Sequence, residues 1–209
     1  MEPHYWNEAC SALETADPVL AGLIREHRRD VLRGSGNPLQ TILNAIVGQQ
    51  ISVAAAESIW KRLLAVLPEV SVSALASMDP ETLRAVGLSW RKVEYVQEIC
   101  RSFQDGTVQP ERWPTMSDLQ IRSELCSIRG VGPWTADMVL IFHLQRPDVL
   151  PLEDIGLINA AFNLYGWDDP GSPKARRQTV ADHARLWTPW RTVATWYIWR
   201  DLDADPVIY

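Results

Sequence analysis

No stretch of this chain alternates apolar and polar residues long enough to make a half-buried strand, whereas helix starts and stops recur along its whole length. Asn37-Pro38, Asp79-Pro80 and Ser172-Pro173 each pair a capping side chain with a proline in the first turn, where its missing N–H does no harm. Ser52 stands ahead of an amphipathic run from Ala54 to Leu67, which Pro68 closes. Val93, Val96, Ile99, Cys100 and Phe103 form a helical stripe over Arg91 to Phe103. Ser117 caps a helix to Ser127, Pro133 opens one to Leu144, and Asp154 begins one that ends near Gly166. Lys174 to Trp187 follows Ser172-Pro173, and Thr188-Pro189 starts a last helix to about Leu202. The expectation is an all-α protein of about eight to ten short helices joined by tight loops.

With 209 residues, 46% apolar and 22% charged, the chain has the balance of a globular protein and not of a disordered one. Its three cysteines, Cys10, Cys100 and Cys126, are too few and too scattered for a disulfide scaffold or a four-cysteine metal centre. They fit a reducing compartment. The longest apolar stretches, such as Met138 to Phe142, fall far short of a membrane span, and Met-Glu-Pro-His-Tyr-Trp does not follow the charged and then apolar pattern of a leader, so export is not expected. A cytoplasmic protein is expected, nucleoid-associated in a bacterium. His4, His27, His143 and His183 are scattered and do not form a metal-ligand cluster.

The most informative segment is Leu125-Cys-Ser-Ile-Arg-Gly-Val-Gly-Pro-Trp-Thr-Ala-Asp137. One helix ends, two glycines bracket a valine, and a proline opens the next helix. Gly130 and Gly132 permit positive φ and close approach of another backbone, and Val131 plugs the gap between helices. The free N–H groups of the second helix would then face an anion, with Thr135 adding a hydroxyl. By itself the pattern fits a plain helix–turn–helix corner equally well.

Two further stretches decide the context. Ile128-Arg-Gly-Val-Gly-Pro-Trp-Thr-Ala-Asp-Met-Val is followed by Arg146-Pro-Asp-Val-Leu-Pro-Leu-Glu-Asp154-Ile-Gly-Leu. Upstream stand Asn44-Ala-Ile-Val-Gly-Gln-Gln-Ile-Ser and Trp90-Arg-Lys-Val-Glu-Tyr. This order resembles the helix-hairpin-helix, Gly/Pro-rich, aspartate superfamily of DNA repair glycosylases, and within it the alkylation-repair branch of the DNA-3-methyladenine glycosylase II type. The resemblance runs from about Asp17 to Trp199. It implies two helical subdomains with an active-site cleft between them. Residues of about 38–150, with the hairpin at 118–144, form one subdomain; 1–37 and 151–209 form the other, within a single glycosylase unit.

The resemblance implies a base-flipping enzyme that hydrolyses the N-glycosidic bond of alkylated purines, such as 3-methyladenine and 7-methylguanine, in damaged double-stranded DNA. An alkylated purine is cationic and leaves readily, while the sugar builds oxocarbenium character that a carboxylate can stabilise. Asp154 matches the family's catalytic aspartate, although position alone reads as a helix cap, and Glu153 is its neighbour and competitor. Asp137 and Asp148 read as structural or solvated. Trp134 and Trp199 match pocket aromatics able to hold a cationic ring, and Met138 stands where some relatives carry another aromatic. In bifunctional relatives a lysine occupies the place of Trp134, so its absence implies a water-using enzyme without lyase activity. Gln50, with Ile51, matches the wedge that fills the place of a flipped base. Backbone carbonyls of Cys126, Ile128 and Val131 match a structural monovalent cation site; no other cofactor is implied. A monomer is expected.

Net charge −6 means that any DNA-binding face must be local, with Arg25 to Arg33, Arg91-Lys92, Lys174 to Arg177 and Arg185 to Arg200 as its candidates. Acidic residues gather at both ends, among them Glu2, Glu8, Asp203 and Asp205. Of ten tryptophans, Trp187, Trp190 and Trp196 read as core. Two rival readings remain from the residues alone: a glycosylase of this fold acting on other damaged or deaminated bases, and a helix-hairpin-helix DNA-binding module without catalysis.

Overall fold

Side-chain caps decide where most helices begin. The computed structural model describes residues 2–34, 36–67 and 69–202, so Pro68, Asp203 and Asp205 lie outside the described residues. Among the described residues there is no strand, and no helix is long and apolar enough to cross a membrane. Asn37, Ser52, Ser89, Asp154 and Ser172 each accept a hydrogen bond from a backbone N–H of the first turn they precede. Ser117 and Gln120 exchange the two bonds of a full capping box. Each such cap contributes about 1 kcal/mol.

The chain forms two units. One combines residues up to Gly34 with those from Leu140 onward; the other runs from beyond Gly34 to Val139. The first contains α1 (Trp6–Ala16), α2 (Pro18–Glu26), α10 (Ile155–Tyr165), α11 (Pro173–His183) and α12 (Arg191–Leu202). Residues 192–198 of α12 are all buried, because this helix is covered by α1, α2 and α10. The second contains α3 (Pro38–Gly48), α4 (Val53–Val66), α5 (Val72–Ala76), α6 (Pro80–Ala85), α7 (Trp90–Gln104), α8 (Asp118–Cys126) and α9 (Pro133–Met138). Here α3 is the central helix, apolar on nearly every side and packed on α4, α7 and α9.

Three expected elements differ in detail. The helix after Pro133 is α-helical only to Met138 and then widens into a π turn over Val139–His143. The helix after Pro173 ends at His183 and tightens into a 3₁₀ turn over Ala184–Trp187. The last helix begins at Arg191 instead of at Pro189. Two N-terminal helices, α1 and α2, were not anticipated, although Asp17-Pro18 carries the same start signal as Asp79-Pro80. The Asp17 side chain accepts from the N–H groups of Val19 and Leu20.

Candidate active site

The hairpin between α8 and α9 is shaped by what its glycines touch. Gly130 takes a positive φ of 96°. A Cβ built on it would stand 2.2 Å from the ring of Tyr95, so bare backbone lies flat on that ring. Val131 is buried, and its N–H closes the turn onto the Ile128 carbonyl at 3.0 Å. Gly132 is extended and is the N-cap of α9, and a Cβ there would meet nothing within 4 Å. The turn thus presents open backbone at Gly132 and packed backbone at Gly130.

Thr135 and Met138 are placed differently from the sequence expectation. Thr135 is 1% exposed, and its hydroxyl accepts from Nε2 of Gln49 at 3.0 Å. It faces inward toward α3 and does not offer its hydroxyl to a phosphate. Met138 is also 1% exposed, so its side chain is enclosed by protein and not presented to a base. Both lie beyond the first residues of α9, where the helix has already turned into the core of its unit. Trp134, earlier in α9, is half-buried. Its Cη2 atom lies 4.0 Å from the position a Cβ would take on Gly48.

The end of α3 forms a tip in the same unit. Gln49 carries the helix cap, Gln50 adopts a left-handed φ of 59°, and both Gln50 and Ile51 are exposed. A non-glycine residue in this region carries about 1 kcal/mol of strain or more. Lys92 of α7 donates from Nζ to the carbonyls of Val47 at 2.8 Å and Gln49 at 2.9 Å, capping the C-terminus of α3. Burial pushes the Lys92 ammonium below the usual lysine range. Gln49 donates from its side-chain amide to the Gly130 carbonyl at 3.1 Å as well as to Thr135.

Asp154 and Trp199 belong to the other unit. Asp154 is half-buried at the head of α10, where Oδ1 accepts the Leu157 N–H at 2.7 Å. A Cβ on Gly156 would press on that Oδ1 at 3.0 Å and would lie 3.8 Å from Leu202 in the last turn of α12. Trp199 therefore stands one turn from the residue beside the first turn of α10, and it stacks on Phe142 at 5.9 Å and 8°. Ile155, next to Asp154, is 73% exposed. Glu153 pairs with Arg177 at 3.1 Å, Asp137 with Arg122 at 2.6 Å, and Asp148 with Arg191 through both oxygens. Asp154 bonds to the N-terminus of its own helix.

Sequence reasoning passed over two groups. One is the Gln49–Lys92 pair, whose partners lie up to 86 residues away and leave no local trace. The other is Asp17, buried beneath α11 and the following 3₁₀ turn. Its Oδ1 caps α2, and its Oδ2 accepts from Tyr165 at 2.6 Å and Trp187 at 2.8 Å, with His183 Nε2 3.0 Å away. Burial pushes this carboxyl upward, but the hydrogen bonds from Tyr165, Trp187, His183 and Leu20 outweigh it and leave the group below its ordinary value. The expected basic clusters are also partly consumed. Arg191 is tied to Asp148, Lys92 caps α3, and Arg200 is buried 3.5 Å from Asp30. Among the described residues, no group of three or more His, Cys, Asp or Glu side chains is placed to hold a metal ion.

Residues 43–185 match the HhH-GPD pattern of base excision DNA repair proteins. The chain belongs to the HhH-GPD superfamily. Among HhH-GPD relatives, it is 30% identical over 192 residues to the Bacillus subtilis protein YfjP, covering 88% of this chain and 66% of YfjP. It is 29% identical over 185 residues to DNA-3-methyladenine glycosylase 1 of Schizosaccharomyces pombe, covering 87% of this chain and 79% of that protein. The chain thus spans just under two thirds of YfjP. The solved structure of the Schizosaccharomyces pombe 3-methyladenine DNA glycosylase in complex with abasic DNA superposes with a TM-score of 0.83 at 26% identity. That match covers 96% of this chain and 99% of the other. A Bacillus halodurans DNA-3-methyladenine glycosidase gives 0.69 at 29% identity, with 88% of each chain covered.

Proposed function

We propose that this HhH-GPD chain is a monofunctional DNA glycosylase that releases alkylated purines of the 3-methyladenine and 7-methylguanine type from damaged duplex DNA. The observation that carries the reading is the carboxylate of Asp154. It is held by the Leu157 N–H at the head of α10, beside the α12 turn that bears Trp199. A fixed carboxylate needs little reorganisation when positive charge appears on the sugar, which is the condition for strong electrostatic stabilisation. The names of the Schizosaccharomyces pombe and Bacillus halodurans relatives support the same substrate class.

In this reading the hairpin backbone holds a phosphate through the N–H groups of Gly130 and Gly132, with no cationic side chain required. Gln50, with Ile51, enters the base stack where the damaged nucleotide leaves it. An exposed ring face of Trp134 or of Trp199 can hold a cationic purine. The C1′–N bond breaks with its electron pair going to the purine, whose positive charge is thereby neutralised. Asp154 faces the oxocarbenium sugar and takes a proton from the water that adds at C1′. Trp134 offers no amine to the sugar, so no covalent enzyme intermediate forms and the strand stays whole. A monovalent cation on the carbonyls of Cys126, Ile128 and Val131 would stiffen the turn. Ile128, which already accepts the Val131 N–H, would give it a second lone pair.

The test is chromatography of free bases after incubation with methylated duplex DNA. Released 3-methyladenine and 7-methylguanine, with strands that break only under alkali, is the expected result. No released base, or strand scission without alkali, overturns the reading.

A further inference from the structure

We propose that Gln49 and Lys92 are positioning residues that lock the exposed Gln50–Ile51 tip to the glycine hairpin, so that the intercalating side chain and the backbone grip act on a duplex as one rigid body. This inference rests on the glycosylase reading above and adds to it two groups that touch neither base nor sugar.

The geometry is a closed circuit within one unit. Lys92 holds the last turn of α3 by two carbonyls, those of Val47 and Gln49. The Gln49 amide directs its two hydrogens to two acceptors across the unit, the Gly130 carbonyl and the Thr135 hydroxyl. Tyr95, one turn beyond Lys92 on α7, lies under Gly130 with no room for a side chain between them. One helix therefore supports the tip through Lys92 and the hairpin through Tyr95, and Gln49 joins the two directly. The left-handed Gln50 follows immediately after the pinned Gln49 carbonyl, so its backbone is held from one side by these bonds.

Pushing a side chain into stacked bases meets resistance of a few kcal/mol per step. A tip on a yielding support would move back instead of displacing the base, whereas a supported one transmits the hold on the phosphate into extrusion. Chemistry at the sugar is assigned to Asp154, which lies in the other unit. Weakening the support should therefore penalise lesions that must be pulled from a pair far more than lesions already unpaired.

The experiment compares release of 7-methylguanine placed opposite cytosine with release of the same base opposite an abasic site. Gln49→Glu keeps the shape but loses both N–H donors, and Lys92→Met keeps the stem but loses the charge. Each is expected to lower kcat/KM on the paired lesion about tenfold more than on the unpaired one, and Lys92→Arg is expected to recover part of the difference. Equal losses on both duplexes, as general misfolding would give, overturn the inference, as does no loss on either. A wild-type protein that releases base from neither duplex overturns the glycosylase reading, and this inference with it.

Discussion

At the scale of single residues, the two hairpin glycines make opposite demands. At Gly130 a methyl group would enter the Tyr95 ring and impose a positive φ of 96° on a side-chain-bearing residue. Gly130→Ala should lower stability by about 3 kcal/mol, read as a fall in Tm. At Gly132 there is open space and extended backbone, so Gly132→Ala should cost under about 1 kcal/mol as a poorer helix cap. Its effect should appear in weaker DNA binding, because the methyl group stands where a phosphate would approach. Equal Tm losses for the two variants would contradict this division. Asp154 is the cap of α10 as well as the candidate catalytic carboxylate, two roles the sequence already allowed together. Asparagine caps about as well as aspartate, so Asp154→Asn should keep stability within about 0.5 kcal/mol while removing the charge.

At the scale of elements, helix starts were legible because the caps are local. Asn37, Ser52, Ser117, Asp154 and Ser172 bond to N–H groups within three residues, and their signal is written in adjacent letters. The π turn after Met138 has no such letters and follows from packing. For the same reason Thr135 and Met138 were expected at the surface of the site yet sit in the core. The family pattern fixes their spacing along α9, but not which side of the helix meets α3. Gln49 and Lys92 show the converse limit, since their roles depend on carbonyls brought close only by folding. Between α8 and α9, Arg122 closes on the nearly buried Asp137. Arg122→Met removes the guanidinium from that carboxylate and should cost roughly 1–3 kcal/mol, measured by urea unfolding.

At the scale of the whole molecule, the net charge is −6, and Lys92, Arg191 and Arg200 are used internally and are not offered to phosphates. DNA affinity should therefore depend weakly on salt, with a log–log slope shallower than about −4. A slope near −8 would mean that side-chain cations, and not backbone, carry the grip. Acid stability depends on Asp17. Its carboxyl lies below the ordinary value in the folded state, so its contribution is present above the unfolded pKa near 4 and is lost as pH falls through the lower folded value. Asp17→Asn should flatten the acid limb of a Tm-against-pH curve, whereas an unchanged limb would contradict that role. The most direct test of the central claim is base release from methylated duplex by Asp154→Asn beside wild type, with binding to abasic duplex measured on the same samples. The account predicts a rate about 100-fold lower or less, with binding retained. Near-normal release by the folded variant would contradict it.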